Sequence, residues 1–265
     1  MKKPLAQVAV FVVLVFAAPW VAAPWLPQQP QNTWEVILSF LPGVWAPTVL
    51  AIGMIAATSG PRGVGRELID RFRYRSGHWA WFVVAVATPL VVTAAGVMLA
   101  RSAGDAQSMI PASVFGTVAI NALLTGAVGE ELGWRGFMLS RLAVRMPYPA
   151  AALVMSLLWG LWHLPIFLFP DSPYAAWPTV PALLAIVGFG LFMASLFHAT
   201  RGSVIATILA HLSLNISLGV GGVRLSSGIF WWTLAILFNV LAIWRLWPRT
   251  GASQPHRWAS DSWPS

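Results

Sequence analysis

The chain has 265 residues, 58% of them hydrophobic and only 9% charged, with a mean hydropathy of +0.72. A soluble domain of that composition would expose large apolar patches, so the sequence reads as a polytopic membrane protein. The absence of cysteine excludes disulfides, thiolate nucleophiles and Cys-ligated metals, and the net charge of +8 is better explained by membrane topology than by nucleic acid.

Eight apolar segments follow in chain order, at 5–26, 34–58, 79–100, 113–139, 150–169, 179–198, 204–220 and 229–247. Each is near the roughly 20 residues that a helix needs to cross a bilayer. The expected architecture is all-α, with about eight transmembrane helices in a single domain over residues 1–247 and a short polar tail at 248–265. The first segment, after Lys2 and Lys3, resembles a signal peptide at Val21-Ala22-Ala23, but Pro24 argues against cleavage there. Between the second and third segments, Arg66-Glu67-Leu68-Ile69-Asp70-Arg71-Phe72 predicts a short interfacial helix with Leu68, Ile69 and Phe72 on one face. Many of the 16 Trp, such as Trp20, Trp79 and Trp231, lie near segment ends, where indole favours the headgroup layer, whereas Trp159 and Trp162 read as core.

Placing the amino terminus in the cytoplasm puts thirteen of the sixteen Lys and Arg residues inside, including Arg62, Arg66, Arg71, Arg141, Arg145, Arg201 and Arg245. Arg101 and Arg224 fall outside and Arg135 in the membrane. The positive-inside bias therefore supports both termini in the cytoplasm of a multi-pass protein of the cell membrane, of bacterial or archaeal inner-membrane type.

The fourth segment carries Gly129-Glu130-Glu131-Leu132-Gly133-Trp134-Arg135. Ionisable groups at that depth are costly and mark function by default. Glu131 and Arg135 are four residues apart, in the order that favours an intrahelical ion pair, and adjacent Glu130 points about 100° away, free for proton chemistry. An ion pair alone could be mere helix glue; a second carboxylate shifts the balance to function. Of the five His, His78 and His256 lie in polar flanks and His198 at a helix end. His163 and His211 are embedded in apolar helices, and Asn215 shares a face with His211. In this topology Glu130 lies about 15 Å, His163 about 20 Å and His211 about 10 Å from the cytoplasmic helix ends, within one slab of the bilayer.

Glu-Glu-x-x-x-Arg at 130–135, aromatic-x-x-x-His at 159–163 and His-x-x-x-Asn at 211–215, in this order on successive membrane helices, resemble the three motifs of the CPBP family of intramembrane proteases. That family includes the CAAX prenyl endopeptidases and bacterial relatives linked to bacteriocin maturation and self-immunity. The motif-bearing core spans about 113–220, and Trp159 stands where the family usually has Phe. The resemblance implies that Glu130 deprotonates a water, that His163 orients it, and that His211 and Asn215 stabilise the tetrahedral oxyanion. Glu131 and Arg135 are then supporting residues. A metal-dependent version, with Glu130, His163 and His211 holding a divalent ion such as zinc, is left open by the residue types. The implied partners are the lipid bilayer and a membrane-associated protein or peptide substrate, lipidated in the CAAX-like case, reached through a cavity expected to open to the cytoplasm and laterally to the bilayer. Two other classes remain: a non-catalytic scaffold or immunity protein, and a proton-coupled transporter, which would usually show an internal repeat that this sequence lacks.

Overall fold

The computed structural model describes residues 3–22, 33–72, 79–168 and 174–246. The expected tail at 248–265 lies outside the described residues, as do His78, His256 and the cations Lys2, Arg73, Arg75, Arg249 and Arg257. The long helices are α1 (Lys3–Ala22), α2 (Thr33–Glu67) and α3 (Trp79–Ser102), followed by a composite fourth helix described below. Then come α7 (Tyr148–Leu168), α8 (Thr179–Ala199), α9 (Val204–Val220) and α10 (Gly228–Leu246). The all-α, polytopic reading holds. Six of these helices are long and apolar enough to cross a membrane, and the two remaining predicted spans are the composite helix and α9. The composite helix counts as short because its regular apolar piece, Ala112–Ala122, is interrupted by the first π stretch.

That fourth helix is a continuous helical path from Ala112 to Ala143, built from α4 (Phe115–Ala122), a π-helical stretch Leu123–Ala127, α5 (Val128–Glu131), a second π stretch Leu132–Leu139 and α6 (Ser140–Ala143). π segments widen the helix, re-aim the side chains that follow and gather at functional sites. Here they bracket the two glutamates on both sides. Side chains of α2 brace the irregular backbone, with Trp45 Nε1 donating to the Leu124 carbonyl at 2.8 Å and Thr48 Oγ1 to the Val128 carbonyl at 3.4 Å. A backbone carbonyl left without a donor would be costly at this depth.

The close approach of α2 requires glycine. Gly129 and Gly133 are four residues apart on one face, a small-xxx-small pair that lets two helix backbones touch. A Cβ on Gly129 would sit 2.8 Å from the Val44 carbonyl oxygen, and one on Gly133 would run into the Pro47 backbone. Around this contact α8 is the most enclosed of the long apolar helices, packed between α7 and α10, while α3 packs against α9 and α10.

One end of the bundle is held by cations. Arg141 Nη2 meets Glu67 Oε2 at 3.0 Å, its Nε donates to Gln7 Oε1 at 2.8 Å, and its guanidinium lies over the Phe137 ring. The predicted interfacial helix is corrected here: α2 breaks at Gly60 (φ 69°), runs on to Glu67, and passes into a 3₁₀ turn at Ile69–Phe72. Leu68 is buried while Ile69 and Phe72 are exposed, so the three do not share one face, and buried Glu67 serves as the counter-ion of Arg141. The opposite end carries an element the sequence reading missed, a two-stranded antiparallel ribbon of β1 (Ala106–Met109) and β2 (Gly221–Val223). Gly221, at φ 81°, ends α9 and starts β2, a backbone conformation that glycine adopts without strain.

Gly133→Ala is expected to lower stability by about 1–3 kcal/mol, because the Pro47 backbone cannot move aside as a side chain can. Gly53→Ala, with nothing within 4 Å of the added Cβ, is the matched control. Thermal unfolding in detergent checks the pair, and equal midpoints for the two variants would contradict the packing account.

Candidate active site

Each of the two adjacent carboxylates has its own partners. Glu131 is fully buried, and its Oε1 receives both Arg135 Nη1, one helical turn on, at 2.8 Å, and His211 Nδ1 from α9, also at 2.8 Å. The expected Glu131–Arg135 pair is therefore present, and it is extended by a histidine that the sequence reading assigned elsewhere. Glu130, on the adjacent helical direction, is 3% exposed and accepts the indole N–H of Trp159 on its Oε2 at 2.6 Å.

Trp159 is the residue that sequence reasoning undervalued, since it was read as core. Its ring is buried, but every part of it is engaged. The N–H holds Glu130, its backbone carbonyl accepts from His163 Nδ1 at 2.7 Å, and Arg135 lies 4.4 Å from its ring centroid. The rings of His163 and His211 stand edge-on to it at 5.0 and 5.6 Å. The only sequence signal was the tryptophan in a position usually filled by phenylalanine, and phenylalanine has no N–H to offer.

These contacts assign the imidazoles. A carbonyl only accepts, so His163 Nδ1 carries the proton and, in the neutral ring, Nε2 carries the lone pair. His211 gives Nδ1–H to the Glu131 carboxylate, so its Nε2 donates only when the ring holds both protons. Asn215, one turn further along α9, lies beside it. A Cβ built on Gly126 would be 2.6 Å from Asn215 Nδ2 and 3.2 Å from His211 Nε2. Both nitrogens thus converge on the same flank of the first π stretch, and Gly126 is a second position that the sequence reading did not single out.

Glu130, His163, His211 and Asn215 all line one cavity of about 820 Å³, walled largely by aromatic and aliphatic side chains including Phe16, Trp162, Trp177 and Phe189. Three helices separated in sequence thus bring the four predicted catalytic residues to one space. Glu131 and Arg135 are not among the described lining residues and stand behind it, as supporting groups would. The cavity is displaced from where the sequence reading expected it. Its described lining runs from the polar centre toward Trp20, Tyr174, Trp177 and Leu225, the end that holds the β-ribbon, and not toward the arginine-bearing turns expected in the cytoplasm.

The metal-dependent alternative finds no support in the side-chain arrangement. Among the described residues, no group of three His, Asp or Glu side chains is gathered closely enough to hold an ion. Of the candidate ligands, Glu130 directs Oε2 at Trp159 Nε1, His163 Nδ1 at the Trp159 carbonyl and His211 Nδ1 at Glu131, contacts that orient these side chains through one polar atom each.

Comparison with known proteins agrees with the motifs. Residues 112–217 match the family described as type II CAAX prenyl endopeptidase Rce1-like. The chain is also 25% identical over 195 residues to CAAX prenyl protease 2 of Methanococcus maripaludis, covering 68% of this chain and 71% of that protein. The matched region begins at the first turn of the composite helix and ends just past Asn215, so it contains all three motifs, and over that region the chain is similar to the Rce1-like, type II CAAX prenyl endopeptidases.

Proposed function

We propose that the protein is an intramembrane endopeptidase in which Glu130 activates a water for attack on a peptide carbonyl of a membrane-associated protein or peptide. The observation that carries this reading is the convergence of Glu130, His163, His211 and Asn215 on one apolar-walled cavity inside the helix bundle. Apolar walls with a few convergent polar groups are the usual form of a site for an apolar ligand. They suit a substrate that bears a lipid or bulky hydrophobic residues, consistent with the prenyl protease named among the relatives.

Each group then has a task. Trp159 N–H fixes Oε2 of Glu130, leaving Oε1 to take a proton from water. His163, held in its tautomer by the Trp159 carbonyl, presents Nε2 to the same water and orients it. As the hydroxide adds to the carbonyl carbon, negative charge grows on the carbonyl oxygen, where Nε2–H of protonated His211 and the amide N–H of Asn215 donate. Glu130 then returns the proton to the departing amide nitrogen, the C–N bond breaks, and the products are a new carboxyl and a new amino terminus. Glu131 aims His211 through its Nδ1, and Arg135 balances Glu131.

Cleavage of prenylated and apolar peptides by the detergent-purified protein tests the reading. Glu130→Gln keeps an acceptor for Trp159 but cannot take a proton, so kcat should fall by about 10²–10⁴-fold with the fold retained. Undiminished turnover in that variant would rule Glu130 out as the base. Equal background from wild type and variant, coupled to pH-gradient-dependent uptake, would favour transport.

Trp159→Phe keeps the ring contacts and removes one donor. The expected loss is about 10–100-fold, mainly in kcat with KM little changed; unaltered kcat would show that the hydrogen bond does not position Glu130. Gly126→Ala places a methyl against both proposed oxyanion donors, and kcat is expected to drop by about 10²–10³-fold. Steady-state kinetics on the folded variant checks this, with wild-type rates counting against His211 and Asn215 as donors.

A further inference from the structure

We infer that the site is entered from the extracytoplasmic face of the membrane, so that its substrate is a short apolar or lipid-bearing peptide segment presented on that side. What passes through the cavity rests on the peptidase reading above; the side on which the cavity opens does not.

The two ends of the bundle are unlike. At one end Arg141 pairs with Glu67 at the close of α2, Arg71 lies over the Phe197 ring near the end of α8, and Arg245 at the end of α10 lies over Trp81 at the start of α3. Arg62, Arg66, Arg145 and Arg201 fall at the same helix ends. The other end holds Arg101 and Arg224 beside the β-ribbon. With Lys3 at the head of α1, this is eight cations against two among the described residues. A cation excess of this size on short loops marks the cytoplasmic side.

The cavity belongs to the cation-poor end. The turns that contribute to its lining, through Tyr174, Trp177 and Leu225, lie between α7 and α8 and between β2 and α10. They are tied to the head of α10, where Trp231 stacks on Trp177 with centroids 4.5 Å apart and donates its indole N–H to the Leu225 carbonyl. The helices agree: α1 and α9 line the cavity with their C-terminal parts and α10 with its N-terminal half. None of the described arginine-bearing turns at the other end takes part.

The polar centre is also shallow from this side. His163 is five residues from the end of α7 and His211 nine from the end of α9, roughly 8 and 14 Å at 1.5 Å per residue. An extended peptide advances about 3.3 Å per residue, so about three or four residues span the distance from the mouth to Glu130. The favoured substrate is thus cut a few residues inside the point where it enters, with apolar groups against the aromatic walls.

The chain contains no cysteine, so single cysteines report accessibility without a background. Ala176→Cys at the mouth, Arg145→Cys at the opposite end and Leu218→Cys inside the cavity would be treated with a membrane-impermeant maleimide in intact cells, stripped of any outer membrane, and after permeabilisation. The expected result is that Ala176→Cys and Leu218→Cys label in intact cells and Arg145→Cys only after permeabilisation. The reverse pattern overturns the proposal, as does failure of Leu218→Cys to label from either side in folded protein whose two outer positions label normally. Neither outcome depends on turnover, so it is separable from failure of the peptidase reading, which Glu130→Gln addresses.

Discussion

Two neighbouring carboxylates buried at membrane depth impose the constraint that organises this molecule. A lone ionised carboxylate in an apolar interior is prohibitive, and removing one member of a buried ion pair typically costs about 3–5 kcal/mol. The fold answers by dividing the pair. Glu131 is compensated twice on a single oxygen, by Arg135 from its own helix and by His211 from α9. Glu130 receives a neutral donor, the Trp159 indole, and otherwise faces the cavity. Because the partners come from α7 and α9, holding the charges and assembling the site are the same act, and Trp159 links the two halves through its N–H, its carbonyl and its ring face.

That division needs the helix irregularity on either side. In a uniform α-helix, residues 126, 129, 130, 131, 133 and 135 would keep fixed angular relations. The π stretches at Leu123–Ala127 and Leu132–Leu139 relax them, so Gly129 and Gly133 can lie against the α2 backbone while Glu130 and Glu131 reach separate partners. Trp45 and Thr48 of α2 hydrogen-bond to carbonyls in and beside the first stretch, so the same helix that demands the glycines also stabilises the irregular backbone.

What could be seen in the sequence follows from which interactions are local. The eight apolar runs marked their helices closely because length and hydrophobicity are properties of a segment. Glu131–Arg135 was legible because both partners sit on one helix, four residues apart. The gathering of His163, His211 and Asn215 around Glu130 was suggested only by depth and by resemblance, since lateral proximity is set by packing. His211 binding to Glu131, the use of Trp159 as a donor and the constraint on Gly126 are contacts between distant helices, and no period or spacing encodes them. The β-ribbon escaped notice because Ala106–Met109 and Gly221–Val223 are four- and three-residue strands whose pairing depends on where α3 and α9 end. The end of the bundle toward which the cavity runs is likewise set by how the turns at the ends of several helices meet.

The central claim is that water, activated by Glu130, attacks the peptide carbonyl directly. Single-turnover cleavage of a prenylated peptide in ¹⁸O-labelled water, followed by mass analysis of the product and of the protein fragment containing Glu130, tests it most directly. One heavy oxygen in the new carboxyl terminus and none in the Glu130 fragment is the predicted result. Heavy oxygen on Glu130 would reveal a covalent acyl intermediate, and absence of any product from folded wild-type protein would contradict the peptidase account itself.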